Sequence, residues 1–123
     1  MREKIREKIT ILLPAYNEEA SFPLIRDCMN KVIKDNPGYD WEFLLVNDGS
    51  TDNTLQQMIR LHREDPHFNY IDLSRNYGKE IAMMAGFDYA KGDALIIMDA
   101  DMQHPIDVIP EMIHWWNKGY DDV

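Results

Sequence analysis

Apolar positions along the chain fall into two alternating kinds of segment. Residues 9–13, 41–46, 68–73 and 94–98 are short apolar runs. Each is halted by a turn-forming or polar residue: Pro14, Asn47-Asp48-Gly49-Ser50, Ser74 and Asp99. Strands covered on both faces read as near-continuous apolar stretches, and the first, second and fourth runs do. The third, Phe68-Asn69-Tyr70-Ile71-Asp72-Leu73, alternates more and predicts an edge or half-covered strand. The segments between the runs have helical period. Their apolar stripes are Ile25, Met29, Val32 and Ile33; Leu55, Met58, Ile59 and His62; Ile81, Met84, Ala85 and Asp88; and Ile109, Met112, Ile113 and Trp116. Pro37-Gly38, Pro66, Gly92 and Gly119 supply the stops. A β-α-β-α-β-α-β-α order predicts an α/β fold, a mostly parallel sheet with right-handed connections, flanked by helices. Ligands of such sheets bind beyond the carboxyl ends of the strands, so the residues after each strand are the place to look for chemistry.

The first strand end reads Pro14-Ala15-Tyr16-Asn17-Glu18-Glu19. A dinucleotide fold needs G-x-G-x-x-G here, so that backbone can approach a pyrophosphate. This turn has no glycine and carries two carboxylates, which argues against an ordinary dinucleotide-dependent dehydrogenase. Glu18 and Glu19 could instead complement the dipole of the next helix. At the second strand end Gly49 permits a tight turn, and one of Ser50, Thr51 or Asp52 caps the helix that follows. Asp48 is not needed for capping and is placed to accept a hydrogen bond from a base N–H or a ribose hydroxyl.

The third strand end, Ser74-Arg75-Asn76-Tyr77-Gly78-Lys79-Glu80, is the only one with bases. Arg75 and Lys79 are candidate diphosphate contacts, aided by free N–H groups at a helix start; a solvated loop is the competing account. The fourth reads Asp99-Ala100-Asp101-Met102-Gln103-His104-Pro105. Two carboxylates at i and i+2 followed by an amide oxygen make a hard-oxygen set that suits Mg²⁺ or Mn²⁺. His104 is adjacent, but a hard cation does not need it. An acidic strand-end face would repel a bare nucleoside diphosphate, and a cation held at Asp99 or Asp101 reverses that. The same cation can act as Lewis acid on a departing nucleoside diphosphate.

Composition narrows the class. The chain has 123 residues, 45% of them hydrophobic, enough for one domain with its own core and no disulfide or metal staple. One cysteine, Cys28, excludes an intramolecular disulfide and fits a reducing compartment. A net charge of −9 argues against a nucleic-acid partner. The charge is uneven: residues 1–8 hold four bases and two acids, while residues 99–123 hold six acids and one lysine. The basic head reads as a charged leader that is solvated rather than laid on an anionic membrane, and it lacks the apolar core of a signal peptide. No apolar run approaches the ~18 residues that span a bilayer. The chain is expected to be cytoplasmic.

The four strand-end motifs, in this order, resemble the nucleotide-binding half of the family 2 glycosyltransferases, which have the GT-A fold. The R-N-x-G-K-E and D-A-D-x-Q-H-P elements are closest to the branch resembling dolichyl-phosphate mannose synthases and bacterial polyprenyl-phosphate glycosyltransferases. The match covers about residues 9–120. The resemblance implies that Pro14, Ala15, Tyr16 and Glu18 line the nucleoside pocket and Asp48 contacts the base. It places Asp99 near ribose and diphosphate, and Asp101 with Gln103 on the metal; roles for Arg75 and Lys79 vary among relatives. The implied reaction moves a sugar, with inversion, from a UDP-sugar or GDP-mannose to a polyprenyl phosphate; analogy leans to UDP. Relatives continue past this chain into acceptor-binding elements and often membrane helices. Residues 9–123 are therefore expected to be the donor part of a larger enzyme, a poor catalyst alone, in its full-length form at the inner face of the membrane, with self-association left open.

Three other accounts compete. An acidic α/β domain of this size resembles a response-regulator receiver, but Ser74 stands where the phosphorylated Asp should follow strand three. A phosphatase would carry its D-x-D after the first strand. A nucleotide-sugar pyrophosphorylase would want a Gly-rich basic loop there.

Overall fold

Each of the four apolar runs forms a strand in the computed structural model, which describes residues 7–98. The elements are β1 (Lys8–Ala15), a 3₁₀ turn (Glu19–Ser21), α1 (Phe22–Asp35), β2 (Asp40–Asp48), α2 (Thr54–Glu64), β3 (Phe68–Leu73), α3 (Lys79–Tyr89) and β4 (Ala94–Ile97). The helix expected around Ile109–Trp116 by its stripe, and the leader through residue 6, lie outside the described residues. All pairings are parallel, in the order β3-β2-β1-β4. Receiver domains order their strands 2-1-3-4-5, so topology sets the phosphoacceptor account aside.

The order reverses direction at β1. The β1-α1-β2-α2-β3 path steps one way along the sheet, and β3-α3-β4 returns across it. Right-handed crossovers then place α1 and α2 on one face and α3 on the other. The cores agree. Ile9, Ile11 and Leu13 of β1 pack with Trp41, Phe43 and Leu45 of β2, with Phe22, Ile25, Met29 and Val32 of α1, and with Met58 and Leu61 of α2. Leu12, Leu44 and Val46 face the other way, against Ala82 of α3. Full burial of a side chain such as Ile25 or Met29 stabilises by roughly 1.5–3 kcal/mol. The exposed Arg26–Glu64 ion pair between α1 and α2, at 2.6 Å, contributes about 0–1 kcal/mol. The apolar stripe, not the ion pair, holds these helices down.

Four details differ from the sequence reading. Strand β1 runs through Pro14 to Ala15 rather than stopping at the proline. It can do so because β4 pairs only as far as Leu12↔Ile97, so on that side the missing N–H breaks no ladder. The α2 stripe is rotated: Leu61 is buried, while His62 is exposed, its Nδ1 2.7 Å from the Phe68 carbonyl. In α3 the expected inward stripe is wrong. Ala82 and Gly86 are buried, while Ile81 and Met84 are 46% and 65% exposed. This helix is apolar on most sides, so periodicity could not choose its face. Its small residues let it approach β1 so closely that a β-carbon on Gly86 would stand 2.3 Å from Leu12 Cδ1.

The fourth concerns a polar layer unseen in the sequence. At the amino end of the α3 face Glu42 is buried. Its Oε1 accepts from the Thr10 hydroxyl (2.8 Å) and the Lys91 N–H (3.0 Å), and its Oε2 from the Asn69 amide (3.0 Å). Thr10 Oγ1 in turn accepts from the Gly92 N–H at 2.9 Å. One carboxylate thus ties β1, β2, β3 and the α3–β4 connection together, and no buried side-chain nitrogen or oxygen is left unpaired among the described residues.

Candidate functional site

The loops after β1, β2 and β3 gather at the carboxyl end of the sheet, bonded to one another rather than merely adjacent. Three consecutive N–H groups after β1 reach the β2–α2 turn. Asn17 N–H donates to Ser50 Oγ (2.9 Å), Glu18 N–H to Thr54 Oγ1 (2.9 Å) and Glu19 N–H to Asp52 Oδ2 (3.4 Å). In return Asn17 Oδ1 accepts from the Thr51 N–H (2.8 Å), the Thr51 hydroxyl and the Asp52 N–H (both 3.3 Å). Asn17 takes this position with φ +53, the one non-glycine residue with positive φ among those described.

The second junction joins β2 to the β3–α3 loop. Asp48, 4% exposed at the end of β2, accepts the Tyr77 N–H on Oδ1 (2.8 Å) and the Gly78 N–H on Oδ2 (3.1 Å). Gly49 makes room for that loop and has φ +70; the backbone of Arg75 and Asn76 passes where its β-carbon would be. Asn47 closes the set, accepting from the Ser50 N–H and donating to Asp72 Oδ1 (2.9 Å) at the end of β3.

These bonds surround the helix starts, although the N-cap residues Ser21, Asn53 and Gly78 make no side-chain capping bond of their own. None of the three expected cap residues is the N-cap of α2, which is Asn53; Asp52, one place earlier, accepts on Oδ1 from the Thr54 N–H (2.9 Å) and from the Thr54 hydroxyl. Glu18 Oε2 accepts from the Ser21 hydroxyl (3.1 Å) beside the start of α1. Asp48 lies against the start of α3. It bonds the Tyr77 and Gly78 N–H groups, which come just before the first residue of α3, Lys79. Burial raises the pKa of Asp52, but the bonds from the Thr54 hydroxyl and from the N–H groups of Thr54, Glu19 and Asp52 itself outweigh it and hold it below the ordinary 3.8.

The remaining candidates border this assembly. Pro14 and Ala15 are buried in the last turn of the β1 ladder, opposite Val46 and Asn47. Tyr16 is 45% exposed immediately after them. Arg75 sits with its guanidinium 5.0 Å from the centre of the Tyr77 ring, and the Tyr77 hydroxyl is 3.2 Å from Ser74 Oγ. The Ser74 bond, then the bond and charge of Arg75, hold the Tyr77 phenol below its ordinary 10.0. Lys79 begins α3. Asn17, Asn47 and Thr54, which do most of the joining, were not singled out in the sequence. The available signal was an asparagine in a turn after a strand, a residue type that tolerates positive φ and bonds local backbone.

The expected metal ligands Asp99, Asp101 and Gln103 lie outside the described residues, as does His104. Among the described residues no cluster of His, Cys, Asp or Glu could hold a metal ion. Two carboxylates and an amide oxygen nevertheless fit a hard divalent cation by donor chemistry. Met98, the last described residue, lies beside β1, its N–H donating to the Leu12 carbonyl (3.0 Å). This is the point where the strand order reverses, the position at which doubly wound sheets bind ligands. No helix among the described residues is long and apolar enough to cross a membrane.

Known proteins share this fold. The profile of Glycosyl transferase family 2 matches residues 10–123. CsbB of Bacillus subtilis (strain 168) is 45% identical over 115 residues, covering 94% of this chain and 35% of CsbB. The undecaprenyl-phosphate 4-deoxy-4-formamido-L-arabinose transferase of Salmonella paratyphi B is 40% identical over 119 residues, covering 95% of this chain and 36% of that enzyme. The chain therefore spans about a third of the length of these relatives. Among solved structures, the mannosyltransferase PcManGT of Pyrobaculum calidifontis, in complex with GDP-Man and Mn²⁺, superposes with a TM-score of 0.74 at 23% identity over 90% of this chain and 32% of its own. With a parallel sheet of GT-A type and a profile match over nearly its whole length, the chain belongs to the family 2 glycosyl transferases.

Proposed function

We propose that the chain is the donor-binding part of a metal-dependent glycosyltransferase, which moves a sugar from a nucleoside diphosphate to a polyprenyl phosphate with inversion. The observation that carries this is the gathering of carboxylates at the carboxyl end of the sheet. Asp52, Asp48 and Glu18 stand just ahead of α2, α3 and α1, so a diphosphate that approaches these helix starts meets negative charge. An incoming diphosphate must find its countercharge elsewhere. The bases at the third strand end and a cation beside the fourth are what the chain offers.

In this reading Pro14, Ala15, Tyr16 and Glu18 line the nucleoside pocket. Asp48 presents acceptor capacity to a base N–H, since among the described residues each of its oxygens takes a single backbone bond. Arg75 and Lys79 approach the diphosphate from the third strand end. Asp99, Asp101 and Gln103 would hold Mg²⁺ or Mn²⁺, which supplies charge neutralisation for the departing nucleoside diphosphate. The acceptor phosphate oxygen attacks the anomeric carbon as the bond to the nucleoside diphosphate breaks on the opposite side, hence inversion. Groups that bind and orient the acceptor would belong to the parent enzyme. The 40% identical undecaprenyl-phosphate transferase supports a lipid phosphate as acceptor. UDP is the favoured donor nucleotide, by analogy with bacterial relatives.

Calorimetry of UDP and GDP, with and without Mn²⁺, tests this on wild type and Asp101→Asn. The expected result is Mn²⁺-dependent binding of one nucleoside diphosphate, weakened at least about tenfold in the variant, equivalent to about 1.4 kcal/mol. Absence of metal-dependent binding to a chain shown to be folded would overturn the reading.

A further inference from the structure

We propose that Asn17 is a positioning residue for nucleoside recognition. By locking the loop after β1 to the turn after β2, it sets Tyr16 against the Asp48 end of the sheet. The functional half of this rests on the donor-binding reading above; the clamp itself does not.

Tyr16 lies between two restraints. Ala15 before it is held in the ladder opposite Asn47, whereas Asn17 after it has left the strand with φ +53. The tyrosine is 45% exposed, so packing does little to orient it. What fixes the direction of the chain through Tyr16 is the bond set of Asn17: its N–H on Ser50, and its side-chain oxygen on two backbone N–H groups and a hydroxyl of the 51–52 turn. The two donors at Thr51 and Asp52 are consecutive backbone N–H groups before a helix, a concave arrangement that otherwise draws an anion. A neutral amide oxygen fills it instead. The residue type follows from both demands. Asparagine tolerates the left-handed region better than other non-glycine residues, and its amide oxygen accepts several donors. Glycine meets the first demand alone, alanine neither, and aspartate both.

The test compares Asn17→Gly, Asn17→Ala and Asn17→Asp in the whole 123-residue chain, at a temperature where circular dichroism shows each to be folded. The first measurement is amide hydrogen exchange without ligand. Asn17→Gly is expected to speed exchange at Thr51 and Asp52 at least tenfold while the β1 and β2 amides stay as in wild type; unchanged exchange at those two positions overturns the clamp. The second is Mn²⁺-dependent UDP and GDP affinity. Asn17→Gly and Asn17→Ala are expected to lose at least tenfold and Asn17→Asp to stay within about threefold of wild type. If glycine binds as wild type does and alanine alone fails, backbone conformation suffices and a role for the side chain is refuted. If wild type binds neither nucleotide, the donor-binding reading and the recognition role fall together, and the exchange result decides the clamp alone.

Discussion

At Gly49 a β-carbon would stand 2.2 Å from the Asn76 nitrogen and 2.3 Å from the Arg75 carbonyl carbon, both backbone atoms with no rotamer to yield. The positive φ adds roughly 1–2 kcal/mol for any side chain. Gly49→Ala is therefore expected to destabilise by more than that conformational cost, about 3 kcal/mol in all, read as a lower urea midpoint. Asp52 gives a pH dependence with a definite sign. Its folded pKa is depressed, so its contribution is complete above 3.8 and is lost as pH falls through the folded value. Thermal midpoints of wild type and Asp52→Asn are expected to differ at neutral pH and to converge on acidification below 3.8; parallel curves would contradict the bonding found at Asp52. The motifs were legible at this scale because their residue types are unusual after strands. Which motif atom bonds which was not, since Asn17 and Thr51 are 34 residues apart in sequence.

Elements were read well where one face differs from the other. Helix α1 buries Ile25, Met29 and Val32 as its stripe predicts. In helix α3 small residues, not the large ones of its apolar stripe, face the sheet. On that basis Ala82→Leu is expected to cost about 1–3 kcal/mol by overpacking against β1 and β2. Met84→Ala, on the outer face, should change stability by no more than about 0.5 kcal/mol. Urea unfolding of the two variants decides between the faces; the reverse ranking would restore the Ile81–Met84 stripe. The buried Glu42 makes a third case. Glu42→Ala leaves the Thr10 hydroxyl, the Asn69 amide and the Lys91 N–H without their acceptor. Thr10 is buried while Asn69 and Lys91 are less so, and an unmet buried group costs about 1–3 kcal/mol, so a loss of about that size is expected, with Glu42→Gln falling between wild type and Glu42→Ala. A glutamate within a strand pattern looks like a solvent-facing residue; only the connection over it makes it an interior one.

For the whole molecule, the net charge of −9 has acquired a location. Part of it sits at the carboxyl end of the sheet, where Asp48, Asp52 and Glu18 are tied to backbone and hydroxyl donors. These acids organise the site, so an anionic ligand meets a surface whose N–H donors are partly taken. UDP is accordingly expected to bind at least about tenfold tighter than uridine with Mn²⁺ present, and no tighter than uridine once the metal is removed by chelation. Calorimetry with the two ligands measures this; a diphosphate advantage that survives chelation would show that Arg75 and Lys79 alone provide the countercharge.

The amino-acid sequence by itself determined the alternation of strands and helices, the parallel sheet and the family, because continuous apolar runs, helical stripes and strand-end motifs are local properties. It also marked β3 as the half-covered strand, found at the edge of the described sheet. Tertiary structure decided what depends on neighbours distant along the chain. It chose the buried face of α3, took Glu42 into the interior and directed the carboxylate of Asp48 onto the loop that bears Arg75. It also joined Asn17 to the turn after β2. Each of these follows from hydrogen bonds or close approach between segments tens of residues apart, and no periodicity within a single segment encodes them.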